Sequence, residues 1–449
     1  MDSTAWLITV SIFALVLLLF LVLRTKLQAF IALLIVSILV GLAIGMPPSE
    51  IVATIEDAMG GTLGFVALVI GLGSMFGEVL RVSGGSERLA LGLIQKFGEK
   101  NIVWALGFSG FLVSIAVYID VAIIILVPLI YSIALKSKKS LLYYGIPLCA
   151  GLSVTHTFLP PTPGPIATAS IINADLGWVI IFGIICGIPA MIVAGPLFGR
   201  FISKKVFVPV PEHILRETEN QTVNRELPSF RSAILIILLP LVLILTNTTA
   251  EILLPEGNTI RTVLTFIGNP IVALLIVCLL TFWIFGTRRG YSREEVQKIA
   301  TKAMEPAGVI MLVTGAGGVF GKMLIASGIG DVLADAMQAI NMPLLLFGFL
   351  TASIIRISQG SGTVSMITAS SLVAPLVESF QVSEPMLGLL VIAIACGGTA
   401  FSHVNDSGFW MANRYFDMSV KDTLRTWTVM KTIVGLTGFV MCCIVSLFI

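Results

Sequence analysis

Charge is what this chain has least of. Asp, Glu, Lys and Arg make up 12% of its 449 residues, about half the roughly 25% of an ordinary soluble domain. With 57% hydrophobic residues and a mean hydropathy of +1.02, a soluble fold is excluded. A net charge of +2 gives no electrostatic footprint for nucleic acid. Histidine is scarcer still, with three in all. His156 and His403 lack further ligands at zinc-like spacing, so no metal and no cofactor are expected. His213, in a polar stretch, reads as solvated. The cysteines (Cys149, Cys186, Cys278, Cys396, Cys442, Cys443) all fall inside apolar runs and read as small core residues, not disulfides. Asp2 but no basic residue precedes the first apolar run, and no small-residue cleavage site follows it. The run is therefore expected to be a retained helix, not a signal peptide. No ATPase motif is present: Gly71/Gly73 and Gly315/Gly317 follow no strand and read as helix-packing glycines.

What the chain does have is long apolar runs without the period-two alternation of a barrel, the pattern of an all-α polytopic membrane protein. Spans are expected over 6–23, 27–45, 64–80, 141–172 (interrupted by prolines), 178–198, 233–246, 263–285, 309–325, 385–410 and 428–449. Glu50, Glu56 and Asp57 read as a short acidic loop, and 288–302 as a basic connection. Placing Arg24 and Lys26 in the cytoplasm puts 24 of the 27 basic residues on that side, all but Arg261, Lys322 and Arg356. Both termini then lie outside the cytoplasm. This works only if 102–135 and 343–377 are re-entrant hairpins, with tips near Tyr118–Asp120 and Ser358–Thr363. Irregular backbone at that depth must be buried in protein or face a water-filled cavity.

The chain also repeats itself. Val69–Gly84 aligns with Val313–Gly328 at an offset of 244, and Pro128, Cys149 and Gly151–His156 align with Pro375, Cys396 and Gly398–His403 at 247. The expected division is N-terminal helices over 1–56, a first repeat over 57–200, a loop and linking helices over 201–301, and a second repeat over 302–449. With the crossings above, the repeats are inverted, as in many alternating-access transporters.

Each repeat has one polar interruption besides its hairpin tip. Pro160, Pro161, Pro163 and Pro165 cannot lie in one continuous helix, so the chain must unwind after Thr155, His156 and Thr157. Its counterpart, Ser402–Gly408, breaks through His403, Asn405, Asp406 and Ser407. Half-helix ends of this kind suit a carboxylate or an ion. Asp120 is a deep carboxylate able to exchange a proton, or alternatively a cap on a backbone amide. Two readings stand for Arg356: bidentate capture of a substrate carboxylate, or a structural pairing with Asp406 or Asp120. Glu78 and Lys322 read as charges snorkelling from helix ends. An intramembrane enzyme built on His156, His403 and Asp406 is disfavoured, because no nucleophile–base spacing is present.

Gly60–Gly64, Lys96–Asn101, His156 with Pro160–Pro165, Arg356–Thr363 and Ser402–Trp410 together carry a resemblance. Through them the chain resembles the gluconate:proton symporter family across nearly its whole length. The resemblance implies inverted repeats with a hairpin and a broken helix each, an elevator movement, a homodimer, and proton-coupled uptake of gluconate or a related sugar acid across a bacterial inner membrane. Many relatives have Glu where this chain has Asp120, and many have His where it has Thr162. Relatives that carry D-serine often lack the arginine matching Arg356, which tilts the expectation toward sugar acids. D-serine, or an organic anion coupled to sodium, is the alternative. The substrate-binding candidates are Arg356, Gly360, Ser361, Thr363, Thr155, Thr157, Ser402, His403, Asn405 and Ser407. The proton-coupling candidates are Asp120, His156 and Asp406.

Overall fold

The computed structural model describes residues 4–211 and 227–449; Asp2 and His213 lie outside the described residues. The described residues form helices and turns only, in the order α1 (Thr4–Leu23), α2 (Ala29–Ala43), α3 (Pro48–Val82), α4 (Gly85–Phe97), α5 (Ile102–Val113), α6 (Ile119–Ser137), α7 (Leu142–Phe158), α8 (Pro163–Ile171), α9 (Leu176–Ile202), α10 (Phe230–Leu253), α11 (Thr259–Gly268) and α12 (Pro270–Arg289). They continue with α13 (Arg293–Ala326), α14 (Ile329–Ala339), α15 (Leu344–Gln359), α16 (Gly362–Phe380), α17 (Glu384–Thr399), α18 (Ser407–Tyr415) and α19 (Val420–Val445). Among the described residues eight helices are long and apolar enough to cross a bilayer. The protein is a multi-pass membrane protein.

Two helices are longer than a bilayer needs. α3 has 35 residues and α13 has 34, so each is about 50 Å long against a hydrocarbon core of about 30 Å. Each has several turns more than the apolar layer needs, and their first turns correct two expectations. Glu50, Glu56 and Asp57 are not in a loop: they lie in the opening turns of α3, where Pro48 occupies the first position and Glu50 faces the positive end of the helix dipole. Most of the basic stretch is likewise helical. α13 starts at Arg293 behind a capping box, in which Glu295 N–H donates to Ser292 Oγ and Ser292 N–H donates back to Glu295 Oε2. The span expected from Val263 is also divided, because Asn269 caps α12 through Ile271 N–H and leaves α11 as a separate short helix.

The same succession of helices occurs twice. A helix of 34–35 residues, a short helix, two arms, an interrupted pair and a long closing helix make up both α3–α9 and α13–α19. α3 and α13 pack along each other, with α2 against α13 and α12 against α3. A second body holds the larger core. In it α5 packs on α7, α15 on α17, and α9 and α19 pack together. The arms differ between halves: α16 packs along α13 and α8, whereas α6 makes no comparable packing against α3. Five cysteines are buried in these cores, but Cys443 is exposed on α19, contrary to the expectation that all six are internal. Glu78 does not simply snorkel; it accepts hydrogen bonds from Arg81 one turn later.

Candidate functional site

Four irregular segments converge at the centre. α7 stops at Phe158, the chain turns extended at Leu159, and α8 restarts at Pro163. The Thr162 hydroxyl bridges this gap by donating to the Leu159 carbonyl at 2.5 Å. In the second half α17 stops at Thr399, and Asp406 caps α18 by accepting from Gly408 N–H at 3.1 Å. The turn Ser114–Tyr118 joins α5 to α6, and Tyr118 OH lies 2.8 Å from Ser74 Oγ on α3. Gly360, at φ +81°, joins α15 to α16. A Cβ there would stand 2.1 Å from the Asn405 carbonyl oxygen, so only glycine lets this turn rest on the second interruption.

These segments enclose a cavity of about 600 Å³, within the roughly 300–1,000 Å³ of small-molecule sites. Of the residues singled out from sequence, Asp120, His156, Thr157, Gly360, Ser361, Thr363, Asn405, Asp406 and Ser407 line it. Thr155 and Ser402 are buried away from it, and His403 stands beside the turn. Thr155 donates to the Phe111 carbonyl at 2.8 Å, which ties α7 to α5. His403 Nε2 and Asn405 Nδ2 lie 3.1 and 2.7 Å from one acceptor, the Ile357 carbonyl. A smaller cavity of about 220 Å³ shares Tyr118, Val121 and Pro306 with the first and extends to Arg81, Lys302 and Glu305.

Arg356 is 3% exposed and does not line the cavity. One terminal nitrogen pairs with Asp406, and the other donates to the Gly360 carbonyl of its own turn. Of the two sequence readings, the geometry is that of the structural pairing. Asp406 also accepts from the Ser402 hydroxyl, which in turn accepts from Trp427 Nε1 at 2.8 Å. Trp427 projects from a π turn in α19 over Leu424–Thr428, a wide turn of the kind found at functional sites.

Lys431 was missed from sequence. It falls where basic residues flank an apolar run, and was counted with the cytoplasmic charges. The structure instead places it inside α19, 5% exposed, lining the cavity, with Nζ 5.8 Å from the Trp427 ring centre. It makes no ion pair among the described residues. Gln359 was passed over too: it lines the cavity, and neither Oε1 nor Nε2 has a partner. The sequence signal for the first was only a lysine near the start of an apolar run, and for the second only the neighbouring glycines.

A larger cavity, about 1190 Å³, lies elsewhere, with Asp57, Asp175, Glu251, Glu378 and Glu384 facing one Lys322. That surplus of negative charge repels an anion. The central cavity, where charges of both signs meet, is the better candidate.

The family model for the GntP family permease matches residues 6–448. The chain belongs to the GntP permease family. It is 40% identical over 436 residues to the low-affinity gluconate transporter of Escherichia coli (strain K12), covering 97% of each chain. It is 37% identical over 422 residues to the Gnt-II system L-idonate transporter of the same strain, covering 94% of this chain and 95% of that one. Among solved structures, the fold is similar to the Alcanivorax borkumensis YdaH transporter, with a TM-score of 0.64 at 16% identity over 90% of each chain. This GntP-family chain thus groups with transporters and permeases, not enzymes.

Proposed function

We propose that this GntP-family protein imports D-gluconate, or a closely related sugar acid, together with a proton across a bacterial inner membrane. The observation that carries the reading is the central cavity, where the two interruptions and two turns bring Asp120 and Lys431 to one small space. The names of the relatives supply the substrate class. Charge supplies the coupling. Counted at their ordinary ionisation, Asp120 and Asp406 balance Arg356 and Lys431 in number, although only Arg356 and Asp406 form an ion pair. A bound monocarboxylate adds one negative charge, and one proton restores neutrality; carrying a net charge through the bilayer interior is expensive.

In this reading Asp120 receives the proton, with His156 and Asp406 as the other candidates. The substrate hydroxyls fall to Thr157, Ser361, Thr363, Asn405 and Ser407, while Gly360 lines the wall and Ser402, His403 and Thr155 hold the segments behind it. The halves 57–200 and 302–449 act as inverted repeats between the segments 1–56 and 201–301. α5–α6 and α15–α16 are re-entrant, both termini face away from the cytoplasm, and the second body moves as an elevator against α3 and α13 in a homodimer.

The test is uptake of labelled gluconate in proteoliposomes under an imposed pH gradient, a sodium gradient, or neither. Accumulation is expected with the pH gradient alone, abolished by a protonophore. Accumulation that follows sodium, or uptake that stops at equal concentrations, overturns the coupling. Competition by D-serine but not by aldonates overturns the substrate class.

A further inference from the structure

We infer that Lys431, not Arg356, is the cation that binds the substrate's carboxylate, with Gln359 beside it as a hydroxyl-binding group. The inference rests on the sugar-acid reading above and adds the residues that recognise the anion. Arg356 has both terminal nitrogens engaged, by Asp406 and by the Gly360 carbonyl, with only Nε unpartnered, and it does not line the cavity. Freeing it for a ligand would strand Asp406, which also caps α18 and anchors Ser402. Lys431 is in the opposite position. Its side chain is buried in the cavity wall with Nζ 5.8 Å from the centre of the Trp427 ring, and no carboxylate lies within 4.0 Å of it among the described residues. A buried ammonium without a counter-ion is costly, and an arriving carboxylate removes that cost. Asp120, the other unpaired charge lining the cavity, is not bonded to Lys431, so the ligand does not compete with a preformed pair. Gln359 adds an unused donor and an unused acceptor, as an alcohol-rich chain requires.

The experiment measures equilibrium binding to full-length protein in nanodiscs, by competition against labelled gluconate, using gluconate and its neutral analogue gluconamide. Wild type is expected to prefer gluconate. Lys431→Met should lose about 100-fold in gluconate affinity with gluconamide affinity unchanged, while Lys431→Arg keeps the preference within about tenfold. In case Lys431→Met does not fold, Lys431→Gln removes the charge at similar length and should lose the preference to a similar extent. A folded Lys431→Met or Lys431→Gln protein that keeps the anion preference overturns the assignment and leaves the sugar-acid reading standing. A wild type that binds no aldonate overturns both.

Discussion

The two interrupted helices reach similar geometry by different means. At Leu159–Thr162 the break is covalent: prolines remove backbone donors, the segment is buried throughout, and the hydroxyl and N–H of Thr162 both donate across the gap to the Leu159 carbonyl. At Ala400–Asp406 there is no proline. The chain leaves the helix through polar groups, and an ion pair, a helix cap and two contacts to the Ile357 carbonyl hold it. A break made by proline is indifferent to nearby charge, whereas one made by charged groups can respond to it. The turns differ in the same sense. Arg356, beside the second, is closed off by its pairing, while Asp120, beside the first, is exposed to the cavity and makes no hydrogen bond or ion pair among the described residues. On the proposed reading, the second half positions the anion and the first keeps an acid available.

Substitutions can break that comparison. The largest effect is expected at the ion pair. Arg356→Met or Asp406→Leu alone leaves a buried charge uncompensated and should cost about 3–5 kcal/mol, whereas the double substitution should cost less than the sum of the two, the Asp406 cap on α18 and its bond from Ser402 staying lost. Unfolding in detergent, followed by denaturant titration, measures both; strictly additive penalties would mean that the two side chains do not interact. At the proline-built break no such coupling exists to find.

Gly360→Ala comes next. It combines a left-handed backbone with a Cβ pressed on the Asn405 carbonyl, for a cost of about 2 kcal/mol or more. Gly98, at φ +71° with open space around it, isolates the backbone contribution; Gly98→Ala should cost about 1–2 kcal/mol. Equal losses at the two sites would remove the contact between turn and interruption from the account. Asn405→Ala gives up one hydrogen bond to the Ile357 carbonyl and should cost about 1 kcal/mol on the same assay. Asp120→Asn is the smallest in stability, within about 0.5 kcal/mol, because its side chain makes no hydrogen bond or ion pair among the described residues.

Much of this was legible in the sequence, for identifiable reasons. Four prolines in six residues, and a run of Ser, His, Asn and Asp inside apolar surroundings, mark both interruptions whatever the tertiary fold. The turn at Gly360 announces itself through glycine and serine between apolar arms. What the sequence left hidden depends on length and on packing. Charges in the first turns of α3 and α13 read as a loop and a connection, because nothing local reveals that a helix is longer than a bilayer needs. Lys431 reads as a flanking charge, because burial is decided by Trp427 and by helices distant in sequence. Arg356 could be placed at depth, but its partner could not be chosen between Asp406, Asp120 and a ligand until the second interruption was folded against it.

The division between an anion-holding half and a proton-carrying half stands or falls on Asp120→Asn in proteoliposomes. Gluconate–gluconate exchange at equal pH should persist, because the anion site is intact, while accumulation driven by a pH gradient should vanish. Accumulation by Asp120→Asn with the wild-type dependence on the pH gradient would contradict the account, and would move the proton to His156 or Asp406.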